Sequence, residues 1–247
     1  MRATKFEFEQ RFWIITGIYT GAFFIFYVDH TRFIVELRHL IAPSLVRDSP
    51  SALMFARTVI AAGAGLVFLS AALRTWAAAY LRTDIVHDTA QHSEALIADG
   101  PFRQMRNPLY LGNLLMAAGI GVLASRSGFI FLVLANWIFV YRLIFREEAA
   151  LRHSQGETFL AYCQAVPRFW PSLRPRVPSG NRSPQWGQAF AGETFVWVLA
   201  LAELSIAITL NPRVGGVVFL LAFLAYFIPV RLVKKRRAQS ETRTTDH

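Results

Sequence analysis

Long apolar runs constrain this chain more than any other feature. A helix needs about 20 apolar residues to cross the hydrocarbon core of a bilayer, and six segments approach or exceed that length. They lie at Phe12 to Val28, within Ala52 to Leu81, at Pro108 to Ala124, Phe129 to Phe145, Thr194 to Leu210 and Val214 to Val230. Arg57 and Arg74 mark where the second enters and leaves the apolar layer. Ser125-Arg126-Ser127-Gly128 is expected to form a tight polar turn after the third, and Asn211-Pro212 ends the fifth. Basic residues precede the first segment, as in a signal peptide. No small-residue cleavage site follows it, so a retained span is expected.

Composition agrees. The chain is 54% hydrophobic and only 17% charged over 247 residues, against about 25% charged in an ordinary soluble domain. Its mean hydropathy is +0.35. The expected fold class is all-α, a polytopic membrane bundle of about six transmembrane helices with interfacial helices on the cytoplasmic side. The single cysteine, Cys163, excludes an intramolecular disulfide framework and a Cys-rich metal cluster. His87 and His92 flank an acid, but a spacing of five suits no standard metal motif, so no metal is expected. Gly17-x-x-x-Gly21 offers a close helix contact without implying a dimer, and oligomeric state stays open.

The net charge of +10 points to membrane orientation rather than nucleic acid, because the basic residues flank the apolar runs. Three Lys and Arg precede the first run, three lie in 82–107, six in 146–193 and six from Arg231 onward, 18 in all. The alternate loops hold five, and Arg57, Arg74 and Arg142 lie inside the runs. This bias predicts that both termini are cytoplasmic. It also puts loops 82–107 and 146–193 on one face. Residues 1–172 are expected to form a core with its motifs in 96–172, followed by a Pro/Ser/Gly/Arg-rich connector at 173–193. A C-terminal transmembrane hairpin at 194–233 and a basic, disordered tail at 234–247 complete the expected organisation.

The polar residues on that face carry the chemical interest. In "GPFRQMRNPLYLGN", Pro108 suits the first turn of a helix, and Asn107 is placed as its N-cap, its side chain taking a free backbone donor. Gly100-Pro101 makes a turn that lets backbone approach a ligand. Arg103 and Arg106 either snorkel to the interface or hold an anion. In "REEAALR", Glu148 and Arg152 stand at the i, i+4 spacing of a solvated ion pair, whereas Glu147 faces Leu151 and is the better candidate for a ligand cation. In "GETFLAYCQAVPRFWP", Gly156 breaks one helix, a short amphipathic helix carries Phe159, Leu160 and Tyr162, and Pro167 and Pro171 end it. Arg142 either orients an anionic acceptor or snorkels, and Arg168 has the same standing. Glu203 lies mid-span, where a charge is costly; a buried partner, protonation or a functional role are all open.

Taken together, "GPFRQMRNPLYLG" followed by "REEAALRHSQGETFLAYCQAVPRFWP" resembles the isoprenylcysteine carboxyl methyltransferase and phospholipid methyltransferase group over about residues 96–172. The resemblance implies a membrane-embedded enzyme that uses S-adenosylmethionine near the cytoplasmic face. Arg106, Pro108 and Tyr110 match the family's Arg-His-Pro-x-Tyr motif, with Asn107 where the His is expected. Asn donates and accepts hydrogen bonds but carries no proton. Glu147 and Glu148 match the acidic pair associated with the amino-acid end of the cofactor; Tyr162 and the Val-Pro run match the closing motif. The implied cofactor-binding set is Gly100, Phe102, Arg103, Arg106, Asn107, Tyr110, Leu111, Glu147, Glu148 and Tyr162, with Arg142 and Arg168 toward the acceptor. The implied partner is a lipid-linked or lipophilic acceptor within the membrane. A similar C-terminal pattern occurs in membrane sterol or steroid reductases that use NADPH, and Asn107 leaves room for a non-catalytic scaffold.

Overall fold

The computed structural model describes residues 2–81 and 98–225. His87, His92, the tail and the end of the sixth apolar run lie outside the described residues. Among the described residues the fold is helical, apart from an isolated bridge between Arg32 and Ser125. The helices are α1 (Lys5–Glu9), α2 (Arg11–Phe24), α3 (Phe33–Ile41), α4 (Pro50–Tyr80), α5 (Pro108–Gly121), α6 (Arg126–Ala165), α7 (Trp186–Thr209) and α8 (Pro212–Ala225). Short 3₁₀ turns at Ile25–Tyr27 and Gly100–Arg103 extend α2 and precede α5.

All six apolar runs have helical segments, but they differ in reach. Among the described residues, α4, α6 and α7 are long and apolar enough to cross a membrane; Arg11–Tyr27, Pro108–Gly121 and Pro212–Ala225 are shorter apolar helices. At 1.5 Å per residue, the 14 residues of α5 span about 21 Å, short of a hydrocarbon core of about 30 Å. Val122 to Ser125 follow α5, and the backbone N–H groups at 122–124 bond back to the Gly119, Ile120 and Gly121 carbonyls. Val122, Ala124 and Ser125 are buried. The turn thus precedes the expected Ser125–Gly128 stretch. Ser125 caps α6 by accepting from Gly128 N at 3.1 Å, which draws Arg126, Ser127 and Gly128 into the helix.

Small residues set the packing. The buried stripe of α4 includes Gly63, Ala64, Val67, Ser70 and Ala71, and α4 lies against both α5 and α7, while α6 packs on α2 and α5. A Cβ on Gly63 would come within 2.9 Å of Gly119 O, and one on Gly119 within 2.6 Å of Gly63 O. Only glycine permits that backbone crossing. On α2 the close contact is not at Gly17 or Gly21; it is Ala22 O against Gly128 of α6.

A polar knot closes the end of the bundle opposite the motifs. Asp29 accepts from Thr31 N, Ser127 N and Ser127 Oγ at 3.1, 2.9 and 2.6 Å, with Arg126 beside it. The Ser127 hydrogen bonds, side chain first, hold the Asp29 carboxyl well below the usual carboxylate range.

Candidate functional site

Helix geometry brings the polar stretches together. Counting from Arg126, about 20 residues of helix cover a 30 Å hydrocarbon layer. Arg146, Glu147 and Glu148 therefore arrive at its edge. Residue Gly156, at φ 52° and ψ −125°, then breaks the helix as expected, and its final segment turns back over the start of α5. Pro167 O receives the Arg106 N–H at 2.9 Å, and Tyr162 Oη donates to Phe102 O at 2.7 Å. The two motif regions thus form one layer.

At its centre is Glu148, buried at 8% exposure. Arg168 meets its two oxygens through Nε at 3.2 and 3.0 Å and through Nη2 at 2.9 Å. Arg106 Nε lies 3.2 Å from Oε1, and Arg106 Nη1 donates to Cys163 O at 3.0 Å. The expected solvated pair with Arg152 gives way to this buried arrangement, because the returning chain places two guanidinium groups closer. Asn107 also departs from its expected role. Its side chain makes no cap hydrogen bond to α5; Nδ2 donates to Arg168 O at 3.0 Å and approaches Glu148 Oε1 at 3.4 Å. Its amide thus ties the start of α5 to the returning chain rather than to the helix's own N–H groups.

Glu147 forms the second half of the cluster. Tyr110 Oη donates to Glu147 Oε1 at 2.7 Å, joining the first turn of α5 to the exit of α6. The structure therefore brings together Arg106, Asn107, Tyr110, Glu147, Glu148 and Arg168. Beneath them, Leu111 joins Met105, Leu114, Val140, Ile144 and Phe169 in an apolar cluster. Arg168 also stacks on Phe145, its Cζ 5.0 Å from the ring centroid.

Gly100, Phe102, Arg103 and Tyr162 form an adjoining layer. Gly100 sits at φ 55°, and a Cβ there would reach the Tyr80 ring, with Cε2 2.5 Å away. The connector crosses this layer: Ser172 N bonds Gln104 O, Arg176 N bonds Arg103 O, and Arg103 Nε bonds Val177 O at 3.0, 2.8 and 2.9 Å. Asp99 accepts from Ser179 Oγ and from the N–H groups of Gly180 and Arg182 at 2.6, 2.8 and 3.3 Å. Burial pushes the Asp99 carboxyl up, but these bonds and Arg103 outweigh it and hold the group below its ordinary value.

Arg142 stands apart from that cluster. Its Nη2 binds both oxygens of Glu7 at 2.8 and 2.7 Å, Ala3 N donates to Arg142 O at 3.0 Å, and Arg146 donates to Ala3 O at 3.1 Å. Thr4 and Glu7 form a reciprocal capping box on α1, a pairing visible in the sequence as Thr-x-x-Glu. The Thr4 backbone hydrogen bond and then Arg142 lower the Glu7 carboxyl to about 2. Sequence reasoning also missed Glu193. Placing the fifth span from Thr194 left this acid in the connector, whereas α7 starts at Trp186 and buries it.

Residues that suit a cationic and anionic ligand are present. Arg106 Nε is buried without a hydrogen-bond partner of good geometry. Tyr110 engages one oxygen of Glu147, and a carboxylate accepts several hydrogen bonds. Among the described residues no cluster of His, Cys, Asp and Glu is arranged to hold a metal. A cavity lined by Ala79, Tyr80, Leu81, Arg182, Ser183 and Gln185 lies at the end of α4 and does not include the Glu148 cluster.

Comparison with known proteins bears on the same stretch. No solved structure matches the chain. The chain is 26% identical over 107 residues to the cobalt-zinc-cadmium resistance protein CzcN of Cupriavidus metallidurans, covering 43% of this chain and 46% of that protein. It therefore spans about half the length of this curated relative. Residues 58–158 match a family model described as phospholipid methyltransferase. That match contains the Arg106–Tyr110 motif and the Glu147–Glu148 pair, and ends before Tyr162 and the Val-Pro run. In this segment the chain matches the phospholipid methyltransferase family, the group of membrane enzymes that its two polar stretches resemble.

Proposed function

We propose that the protein is an integral-membrane methyltransferase that transfers the methyl group of S-adenosylmethionine to a lipid-linked acceptor, most like an isoprenylcysteine carboxyl methyltransferase. The observation that carries this reading is the meeting of Tyr110 with Glu147 and of Arg106, Asn107 and Arg168 with Glu148. The family match over 58–158 supports methyl-transfer chemistry. The acceptor class rests on resemblance and on the membrane setting.

S-adenosylmethionine supplies a methyl group on a positively charged sulfur. Glu147 is placed to pair its ammonium, and Arg106 to hold its carboxylate through a charge-assisted hydrogen bond. Tyr110 or Phe102 packs against the adenine in this reading, with Gly100, Arg103, Asn107 and Leu111 shaping the surrounding wall. Glu148 keeps Arg106 and Arg168 fixed, so ligand alignment costs little reorganisation at the time of reaction. With the cofactor bound, the acceptor lone pair would form the new bond to carbon as the carbon–sulfur bond breaks, the electron pair staying on sulfur, which would leave as a neutral thioether. A carboxylate acceptor needs no base for this step. Opposite charges disappear along the way, so a water-poor site favours it. Arg168 lies on the cluster and is the better placed arginine to orient an anionic acceptor; Arg142 does so in this reading only when Glu7 leaves it.

Both termini and the cofactor entrance are placed on the cytoplasmic side, on the strength of the basic-residue bias. The test is to incubate membranes containing the protein with methyl-labelled S-adenosylmethionine and a lipid extract, then identify the labelled product. A labelled lipid or lipid-modified peptide, absent with Glu147→Gln, is expected. In a parallel incubation with labelled NADPH, labelled reduced lipids with no methyl transfer in the first would support the reductase reading instead.

A further inference from the structure

Among the described residues, one guanidinium joins three helices at a place the proposed site does not use. Arg74, on α4, is three-quarters or more buried with a side-chain exposure of 20%, and Glu193, on α7, has 5%. Arg74 Nε and Nη2 donate to the two oxygens of Glu193 at 2.6 and 3.0 Å, a bidentate pair. Nη1 of the same group donates to Asn113 Oδ1 on α5. The stem of Arg74 crosses α5 at Gly112, where a Cβ would collide with Arg74 Cγ. Ser70 Oγ, one turn earlier on α4, donates to Gly112 O at 2.7 Å. Charges in a membrane helix are costly, and those retained pair with one another.

The position of this knot gives it a consequence. Asn113 follows Tyr110 by three residues, so the two occupy adjacent places on α5. The first turn of α5 also carries Asn107, whose carbonyl accepts from Leu111 N at 3.1 Å. The segment matching the family ends at residue 158, so Glu193 comes from a part of the chain that lies outside it.

We infer that Glu193 is a positioning residue: through Arg74 and Asn113 it sets the depth and rotation of the first turns of α5, and so the placement of Asn107 and Tyr110 against Glu148 and Glu147. Helix α7 is therefore a working part of the site. The functional consequence rests on the methyltransferase reading; the mechanical claim about α5 does not. A misplacement of about 1 Å at a reacting centre costs on the order of 100-fold in rate, so a small shift of α5 suffices.

The experiment compares Glu193→Gln with Trp197→Phe in the full chain. Trp197 Nε1 donates to Thr75 Oγ1 at 2.9 Å, so Trp197→Phe loosens the same α4–α7 pair without touching Arg74. Three quantities are read: melting temperature, amide exchange of α5 residues 109–114 without ligand, and equilibrium binding of labelled S-adenosylmethionine. Glu193→Gln is expected to speed α5 exchange and weaken cofactor binding, each about tenfold, equivalent to about 1.4 kcal/mol. Trp197→Phe is expected to leave both within about twofold, the usual limit for uncoupled changes. Asn113→Ala cuts the last link without leaving a charge unpaired and should reproduce the faster α5 exchange even if Glu193→Gln does not fold. Unchanged α5 exchange in Asn113→Ala, or equal effects of Glu193→Gln and Trp197→Phe, would overturn the inference. Faster α5 exchange in a protein whose wild type binds no S-adenosylmethionine would sustain the positioning claim and defeat the methyltransferase reading.

Discussion

Replacing Glu148 by Ala tests the energetics of the site before any activity is known. The change leaves Arg106 and Arg168 facing one another across an emptied position. Their exposures decide the size of the effect: the Arg106 side chain is 10% exposed and that of Arg168 is 39%. An unpaired buried charge costs about 3–5 kcal/mol, and that figure belongs to the Arg106 side of the cluster. The Arg168 pair is screened by solvent and contributes about 0–1 kcal/mol. One kcal/mol moves the melting temperature of a domain this size by about 2–4 °C. Glu148→Ala should therefore melt about 6–20 °C below wild type in detergent, while Arg168→Ala should fall by no more than about 4 °C. Thermal unfolding of the two single variants and the double variant provides the measurement. Equal losses for both single variants, or a loss below about 2 °C for Glu148→Ala, would refute the view that Glu148 neutralises a buried guanidinium.

Further outcomes follow from the same geometry. Tyr110→Phe removes the 2.7 Å bond to Glu147 and should cost about 1.5–3 kcal/mol of stability, measured by denaturant or thermal unfolding. Gly156→Ala meets no atom within 4 Å but must adopt φ 52°, so backbone strain alone should cost on the order of 1–3 kcal/mol, again read from the melting temperature. Gly63→Val has no such room: a Cβ there would stand 2.6 Å from Val122 Cγ2 and from Glu203 Oε1, and overpacking should cost about 1–3 kcal/mol or prevent folding. Acid should release the N-terminal segment. Glu7 falls from 4.5 to about 2 in the folded chain, so its contribution is fully present above pH 4.5 and disappears as pH falls through 2. Pepsin cleavage around the buried Phe8, measured relative to an unstructured peptide substrate under the same conditions, should accelerate across that interval, and Glu7→Gln should remove that relative acceleration.

The apolar runs made the helical class legible because a span of hydrocarbon imposes its own length on the sequence. They made the reach of each helix less so. Apolar character stops at Phe145, yet the helix runs on to its break at Gly156 and a further helical segment reaches Ala165, with Glu148, Phe159 and Tyr162 buried along the way. Glu193 was hidden by the same rule: an acid at the head of an apolar run looks like a boundary until Arg74 appears opposite it. The site was legible as two stretches and their order. Which partner each side chain takes was not, since Asn107 and Glu148 follow the nearest buried groups of a returning chain rather than their neighbours in sequence. Local spacing suggested a helix cap and an i, i+4 pair, both reasonable for isolated helices. Buried polar groups instead follow whatever donors and acceptors the fold supplies.

Equilibrium binding of labelled S-adenosylmethionine to the purified protein, and to variants from each polar stretch, tests the central claim most directly. Saturable binding that weakens at least about tenfold, or about 1.4 kcal/mol, in both Arg106→Ala and Glu147→Gln is the result predicted for one ligand held between α5 and α6. Binding unaffected by either variant, or absent from the wild-type protein, would contradict it.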